Sequence, residues 1–335
     1  MAPAVASIFE HGKLRVQSYE KEQTDASSPP RALLIISPTE AGRYPVILFL
    51  PGKSMRIHYY RQLFEHVASH GYIAVVPQLP CSEASQPQDI ESAAGGSTNS
   101  SLPSSNEDID AAAAVANWIP KGLQPALPSG VQLNLHKLAL AGHSKGGHTA
   151  FALAMKKYAP TTLDFSVVVG VDPNGGFFSQ ITPRLLTYVP NSFTINVPVL
   201  IVGSGLGVER ARPHYHPCAP KGLNYAEFFN ECKPPCSYFV VKDYGHLDML
   251  DDDTPQSILD GCKCGERRTR SLMRTTTAGL IVAFFEAYLH GDRRNLDTVV
   301  ADPAVAPARL DPVDEKPGGC RCCCWPAAAS RALKN

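Results

Sequence analysis

Short apolar runs separated by longer stretches of mixed polarity set the rhythm of this chain. Residues 46–50, 72–76, 138–141, 165–171, 198–202 and 238–241 are almost unbroken in apolar character. Runs of that length, stopped by proline, glycine or polar clusters, read as strands buried on both faces of a parallel sheet. Residues 13–20 and 31–39 read as two earlier strands, with Ser27, Ser28, Pro29 and Pro30 marking the turn between them. Helical periodicity occupies the gaps. It covers 59–69, closed by Gly71; 105 to about 118, opened by a capping box of Ser105 and Asp108; a stretch starting at Gly147; and an amphipathic segment at 276–289. Strands alternating with helices predict an α/β fold with a mostly parallel sheet and helices on both faces. No internal repeat is visible.

Four segments fall outside this rhythm. Residues 80–105 are rich in serine, glycine, alanine, glutamine and proline, and read as a mobile surface loop. Residues 120–134 read as a second loop. Residues 203–237 are long for a strand connection. Residues 296–335 are rich in proline and alanine and read as a low-complexity, disordered tail. The expectation is therefore one domain, 1–295, followed by that tail.

Composition narrows the function by exclusion. The chain has 335 residues, is 44% apolar and has a formal net charge of zero. The core is ample, and nothing basic points to nucleic acid. No apolar stretch reaches the ~18 residues of a membrane span. The N-terminus lacks the apolar h-region of a secretory signal and is short for a typical transit peptide, so it fixes no compartment.

Candidate chemistry centres on residues 137–155. An apolar run leads into Gly142-His143-Ser144-Lys145-Gly146, and a helical pattern follows. This is the strand–turn–helix setting of a G-x-S-x-G nucleophile elbow. The serine of such an elbow sits in a strained turn, so the positions two before and two after it must be small; here they are Gly142 and Gly146. The backbone N–H of Lys145 would supply half of an oxyanion hole. The other half is expected from the loop after residues 46–50, where Gly52 allows close approach and the N–H of Lys53 is the candidate donor. His246, just after the run at 238–241, stands where the base belongs, ahead of His143, His148, His214, His216 and His290. The acid is chosen by position as well. Asp172 ends the run at 165–171, and a strand end holds a side chain rigidly. The run at 198–202 is followed by no acid until Glu209, which is the reserve. Asp243 and Asp248 are expected to aim at the backbone.

Several strings of this sequence resemble plant chlorophyllase. They are GHSKGG with FALAM, VDP, SGLG, CAPKGLNYAEFFNEC and FVVKDYGHLDMLDDD, spread from residue 8 to about 289. The family's serine motif is usually written GHSRGG, so Lys145 replaces an arginine, keeping the charge but not the forked donors. Relatives often carry His-Gly near residues 51–53; the glycine is kept here. The resemblance implies the α/β-hydrolase fold, a triad of Ser144, Asp172 and His246, and no metal or other cofactor. It implies hydrolysis of the phytyl ester of chlorophyll to chlorophyllide and phytol, with the chloroplast as the expected compartment and cytosol, vacuole or endoplasmic reticulum as alternatives. A general lipase or carboxylesterase would use the same triad. A pigment or lipid carrier that had kept the fold would not need it.

A substrate with two large apolar halves needs a wide apolar cleft. The segment 203–237 carries Tyr215, Tyr225, Phe228 and Phe229, and Tyr215, Phe228 or Phe229 is expected to line the entrance to Ser144. Packing of the loop onto the body is the alternative. One or two disulfides among Cys218, Cys232, Cys236, Cys262 and Cys264 are expected in an oxidising compartment. They are favoured over structural zinc, because paired C-x-x-C spacing is missing. The cluster Cys320-Arg321-Cys322-Cys323-Cys324-Trp325 could be acylated and hold the protein peripherally to a membrane; an unmodified tail is the plainer reading.

Overall fold

The computed structural model describes residues 8–25, 28–80 and 105–318. A nine-stranded sheet forms its spine, in the spatial order β1-β2-β4-β3-β5-β6-β7-β8-β9. The strands are β1 (Val16–Lys21), β2 (Leu33–Pro38), β3 (Gly42–Leu50), β4 (Ile73–Pro77), β5 (Val131–His143), β6 (Val167–Val171), β7 (Val199–Ser204), β8 (Cys236–Val241) and β9 (Leu310–Lys316). From β3 to β8 all neighbours run parallel. The pairs β1-β2, β2-β4 and β8-β9 are antiparallel. The helices are α1 (Arg61–Ser69), α2 (Ser105–Gly122), α3 (Lys145–Ala154), α4 (Tyr225–Glu231), α5 (Gln256–Leu259), α6 (Arg270–Leu289) and α7 (Arg294–Ala301).

The apolar runs become strands because both sheet faces are covered. Successive side chains point to opposite faces. Leu33, Ile35, Val46 and Leu48 pack with Ile109 and Ala112 of α2, Phe151 of α3 and Phe228 of α4. Their neighbours Leu34, Ile36, Ile47 and Phe49 pack with Leu63 and Phe64 of α1, Phe284 of α6 and Leu296 of α7. In the middle of the sheet both faces are covered, which is why the runs there are continuous rather than alternating.

Where the elements depart from expectation, the cause is local. β5 starts at Val131, inside the expected loop at 120–134; its outer half alternates apolar and polar side chains and pairs with residues 42–45 of β3. Pro45 lies within β3, at a register shift that removes the need for its missing N–H. α2 reaches Gly122, with Pro120 in its last turn, instead of stopping near 118. α6 starts at Arg270 and is buried on almost all sides instead of being amphipathic. It packs on α1 and comes so close to the N-terminal segment that a Cβ on Gly279 would lie 2.3 Å from the ring of Phe9.

The chain beyond 295 is also corrected. α7 packs Leu296 and Val299 into the core, and β9 adds an antiparallel edge strand to β8. β9 reads LDPVDEK, and its charge and proline are what an exposed edge uses to discourage further pairing. The same residues make it look unstructured in sequence. Residues 81–104 of the expected loop at 80–105, the side chain of Ser105 and the Cys320–Cys324 cluster lie outside the described residues. No described helix is long and apolar enough to cross a membrane.

Candidate active site

Ser144 joins β5 to α3, with φ 56° and ψ −124°. An L-residue in this region is strained and persists only where its surroundings fix it. Three main-chain bonds do so. The Ser144 N–H donates to the Val171 carbonyl at 3.1 Å, and its own carbonyl accepts from the N–H groups of His148 and Asn174 at 3.1 and 3.2 Å. The flanking glycines are obligatory for space. A Cβ on Gly142 would lie 2.2 Å from the Gly146 carbonyl oxygen, and one on Gly146 would lie 2.1 Å from that of Leu50.

Ser144, Asp172 and His246 meet as the chain positions implied. His246 Nε2 is 2.7 Å from Ser144 Oγ, and His246 Nδ1 is 2.7 Å from Asp172 Oδ2. A carboxylate can only accept here, so Nδ1 carries the proton and Nε2 accepts from the serine hydroxyl. All three are buried, Ser144 least so at 6% exposure. Asp172 follows β6 with φ 45°, its N–H held by the Val202 carbonyl. Glu209, the reserve acid, is exposed. Asp248 accepts from the N–H groups of Gly245 and Gly265, each at 2.7 Å, so it serves the backbone as expected.

Two sets of partners escape sequence reading. The first is Ser204 at the end of β7. Its hydroxyl and its N–H both donate to Asp172, so the carboxylate is fixed from the neighbouring strand. Gly207 keeps that space open, since a Cβ there would lie 2.4 Å from Ser204 Oγ. The only signal was the short polar string after the run at 198–202.

The second is a chain of hydrogen bonds through His143. Its Nε2 lies 3.0 Å from the carbonyl oxygen of His246, which can only accept. The proton is therefore on Nε2, and Nδ1 accepts from the Tyr60 hydroxyl at 2.8 Å. The Tyr60 oxygen accepts in turn from the Gly52 N–H at 3.0 Å. Burial, reinforced by the adjacent His246 ring, holds the His143 pKa well below the usual histidine value, so the ring is neutral. This chain links the loop after β3 to the turn that carries His246.

The loop after β3 also touches the serine. A Cβ on Gly52 would lie 3.2 Å from Ser144 Cβ, which places the Gly52-Lys53 turn against the nucleophile. Lys145 is the first residue of α3, where backbone N–H groups have no partner within the helix. Its side chain turns away and pairs with the buried Asp108 of α2 at 3.0 Å. The arrangement as a whole can deprotonate a serine hydroxyl.

The aromatic residues of the long loop are corrected in part. Phe228 is fully buried between Phe151 and Phe193, and Phe229 stacks on Tyr238 of β8 beneath the Lys316 ammonium. Both rings pack the loop onto the body. Tyr215 is half-buried with Arg212 against its ring. The loop is tied down by a Cys218–Cys262 disulfide, which links it to the segment beyond His246; Cys232, Cys236 and Cys264 are free. Among the described residues no cluster of three metal-binding side chains occurs.

Comparison with known proteins agrees with this geometry. The chlorophyllase family profile matches residues 4–317. Chlorophyllase-1 of Arabidopsis thaliana is 40% identical over 322 residues, covering 92% of each chain. Chlorophyllase-2 of the same plant is 43% identical over 275 residues, 80% of this chain and 81% of its own. "Chlorophyllase-1, chloroplastic" of Citrus unshiu is 36% identical over 326 residues, 94% of this chain and 90% of its own. The chain, with its elbow serine on a mostly parallel sheet, belongs to the chlorophyllase family of carboxylic ester hydrolases.

Proposed function

We propose that this chain hydrolyses the phytyl ester of chlorophyll, with Ser144 as nucleophile, His246 as base and Asp172 as the group that orients it. The observation that carries the reading is the unbroken relay from Ser144 Oγ through His246 to Asp172, in a chain of this family. His246 Nε2 takes the hydroxyl proton as Ser144 Oγ attacks the propionyl ester carbonyl. The N–H groups of Lys53 and Lys145 hold the oxyanion, each worth about 3 kcal/mol of barrier. Collapse breaks the bond to the phytyl oxygen, and imidazolium His246 returns the proton so that phytol leaves. Water, deprotonated by His246, then attacks the acyl-Ser144 ester and releases chlorophyllide. No step needs a metal or redox partner. Tyr215 is the remaining candidate for the cleft mouth. The chloroplast is the proposed compartment, on the printed names of the Citrus relatives.

The deciding measurement sets purified protein against chlorophyll a and against p-nitrophenyl esters of several chain lengths. Chlorophyllide release that vanishes in Ser144→Ala, with pigment binding retained, is the expected result. Residual activity above about a tenth of wild type, roughly 1.4 kcal/mol of barrier, would remove Ser144 from the role. Activity on the short esters alone would make the chain a general esterase.

A further inference from the structure

Among the described residues, four of the five exposed large apolar side chains lie on one connection, the fifth being Leu272 of α6. Phe178 is 72% exposed, Val189 56%, Tyr188 52% and Phe177 42%. All four lie on the connection that leaves β6 immediately after Asp172. Soluble proteins seldom present grouped apolar side chains without a use for them.

The backbone beneath them is built. The buried Glu231 carboxylate accepts from the N–H groups of Thr187 and Tyr188, each at 2.6 Å, and from the Thr187 hydroxyl. The Gln180 side chain bonds both the N–H and the carbonyl of Leu186 at 2.8 Å. Gly175 N–H donates to Leu223 on the neighbouring loop. Tyr188 itself has φ 61°, a conformation that L-residues rarely adopt and that this network enforces. Hydrogen bonds and strain together hold Tyr188 and Val189 outward, where collapse inward would otherwise be favoured.

Charge selects the occupant. A shallow concavity of about 350 Å³ is lined by Phe178 and Tyr188 together with Arg184 and Lys221. Arg184 and Lys221 are its cations, and no acid is among its lining residues. Aromatic side chains rimmed by cations suit a surface that is apolar below an anionic layer. A second copy of this chain suits it poorly, because a two-fold contact would bring Arg184 and Lys221 against their own counterparts. We propose that this patch docks the protein on anionic lipid bilayers. The docking stands without the chlorophyll reading; only its benefit for a membrane-held ester rests on that reading.

The test is co-sedimentation of the full chain with vesicles of phosphatidylcholine, alone or with about one third phosphatidylglycerol. Wild type should pellet with the anionic vesicles and be released by salt. The double variant F178S/V189S should bind about tenfold more weakly, and R184Q/K221Q should lose the preference for anionic lipid. Both should keep wild-type hydrolysis of a short p-nitrophenyl ester, which also reports that they fold. If F178S/V189S fails to fold, R184Q/K221Q decides alone. Failure of wild type to bind either vesicle overturns the proposal, as does equal binding by wild type and the folded variants. A wild-type dimer that F178S/V189S splits would make the patch a contact between copies and overturn it too. Vesicle binding without any esterase activity would sink the catalytic reading and leave this one standing.

Discussion

At the scale of single residues, the site depends on which protons are fixed. Asp172 accepts from His246 and twice from Ser204, so Asp172→Asn would present an amide where an acceptor is needed and favour the wrong imidazole tautomer. Ester hydrolysis should fall by orders of magnitude, with ~10⁴ the scale known for such a change in a serine protease. Glu209→Gln should leave it unaltered. A reversed outcome in kcat would move the acid to the loop after β7. Tyr60→Phe keeps the ring against Phe49 but deprives His143 Nδ1 of its donor and Gly52 N–H of its acceptor. We expect kcat to drop about tenfold or more with KM little changed, since the hydroxyl touches positioning groups and not substrate. A rise in KM with constant kcat would contradict this. Ser144 was legible because its elbow is a local pattern, and Asp172 because it terminates a strand. Ser204 and Tyr60 were not. Tyr60 is 83 residues from His143, and nothing in either neighbourhood announces the other.

At the scale of elements, the strands buried on both faces were legible and the edge was not. Six parallel strands leave continuous apolar runs, whereas β9 buries little and carries four charged side chains and a proline. Its contribution becomes visible only with α4 in place. Lys316 Nζ donates to the carbonyls of Phe229, Asn230 and Cys232, each at 2.8 Å, and so sets a cation against the C-terminal end of α4. Lys316→Met should lower unfolding free energy by about 2 kcal/mol, seen as an earlier midpoint in denaturant with an unchanged slope. Activity on a short ester should survive at low denaturant. An unshifted midpoint would show that β9 is decoration. The fate of Phe228 is likewise an element-scale matter. A helix of seven residues places consecutive aromatics on different sides, so one of the pair was bound to face the core.

At the scale of the whole molecule, acid should loosen the fold through its buried histidines. Burial depresses the pKa of His66 and His148 to about 4 and that of His143 well below its usual value. A depressed histidine stabilises the fold above its unfolded pKa of about 6.5, and that stability is lost as pH falls below it. Asp251 has the opposite sign. Burial raises its carboxyl to about 7, so between about 7 and about 4 the folded chain holds a proton that the unfolded chain releases, and falling pH favours folding. Asp251 also accepts from the Gln62 N–H at the start of α1, a bond that an amide oxygen can keep. Asp251→Asn should therefore lose more Tm than wild type between pH 7 and pH 4.5, because the compensating proton is gone. A shallower decline would mean that Asp251 is ionised throughout.

The bond from Ser144 N–H to the Val171 carbonyl has a mechanical meaning. Val171 is the residue before Asp172, and Asp172 is held in turn by Val202 on the next strand. Nucleophile and acid are thus two marks on one ruler, and their separation lasts as long as the sheet does. His246 is mounted apart, on the turn after β8, joined to that ruler through the His143 side chain, its own two ring bonds and the bond from Leu206 N–H to the Tyr244 carbonyl. On warming, that turn is the joint at which the site comes out of true. Loss of activity ahead of melting would then be a misalignment of one hinge, undone on cooling, and not the first stage of unfolding.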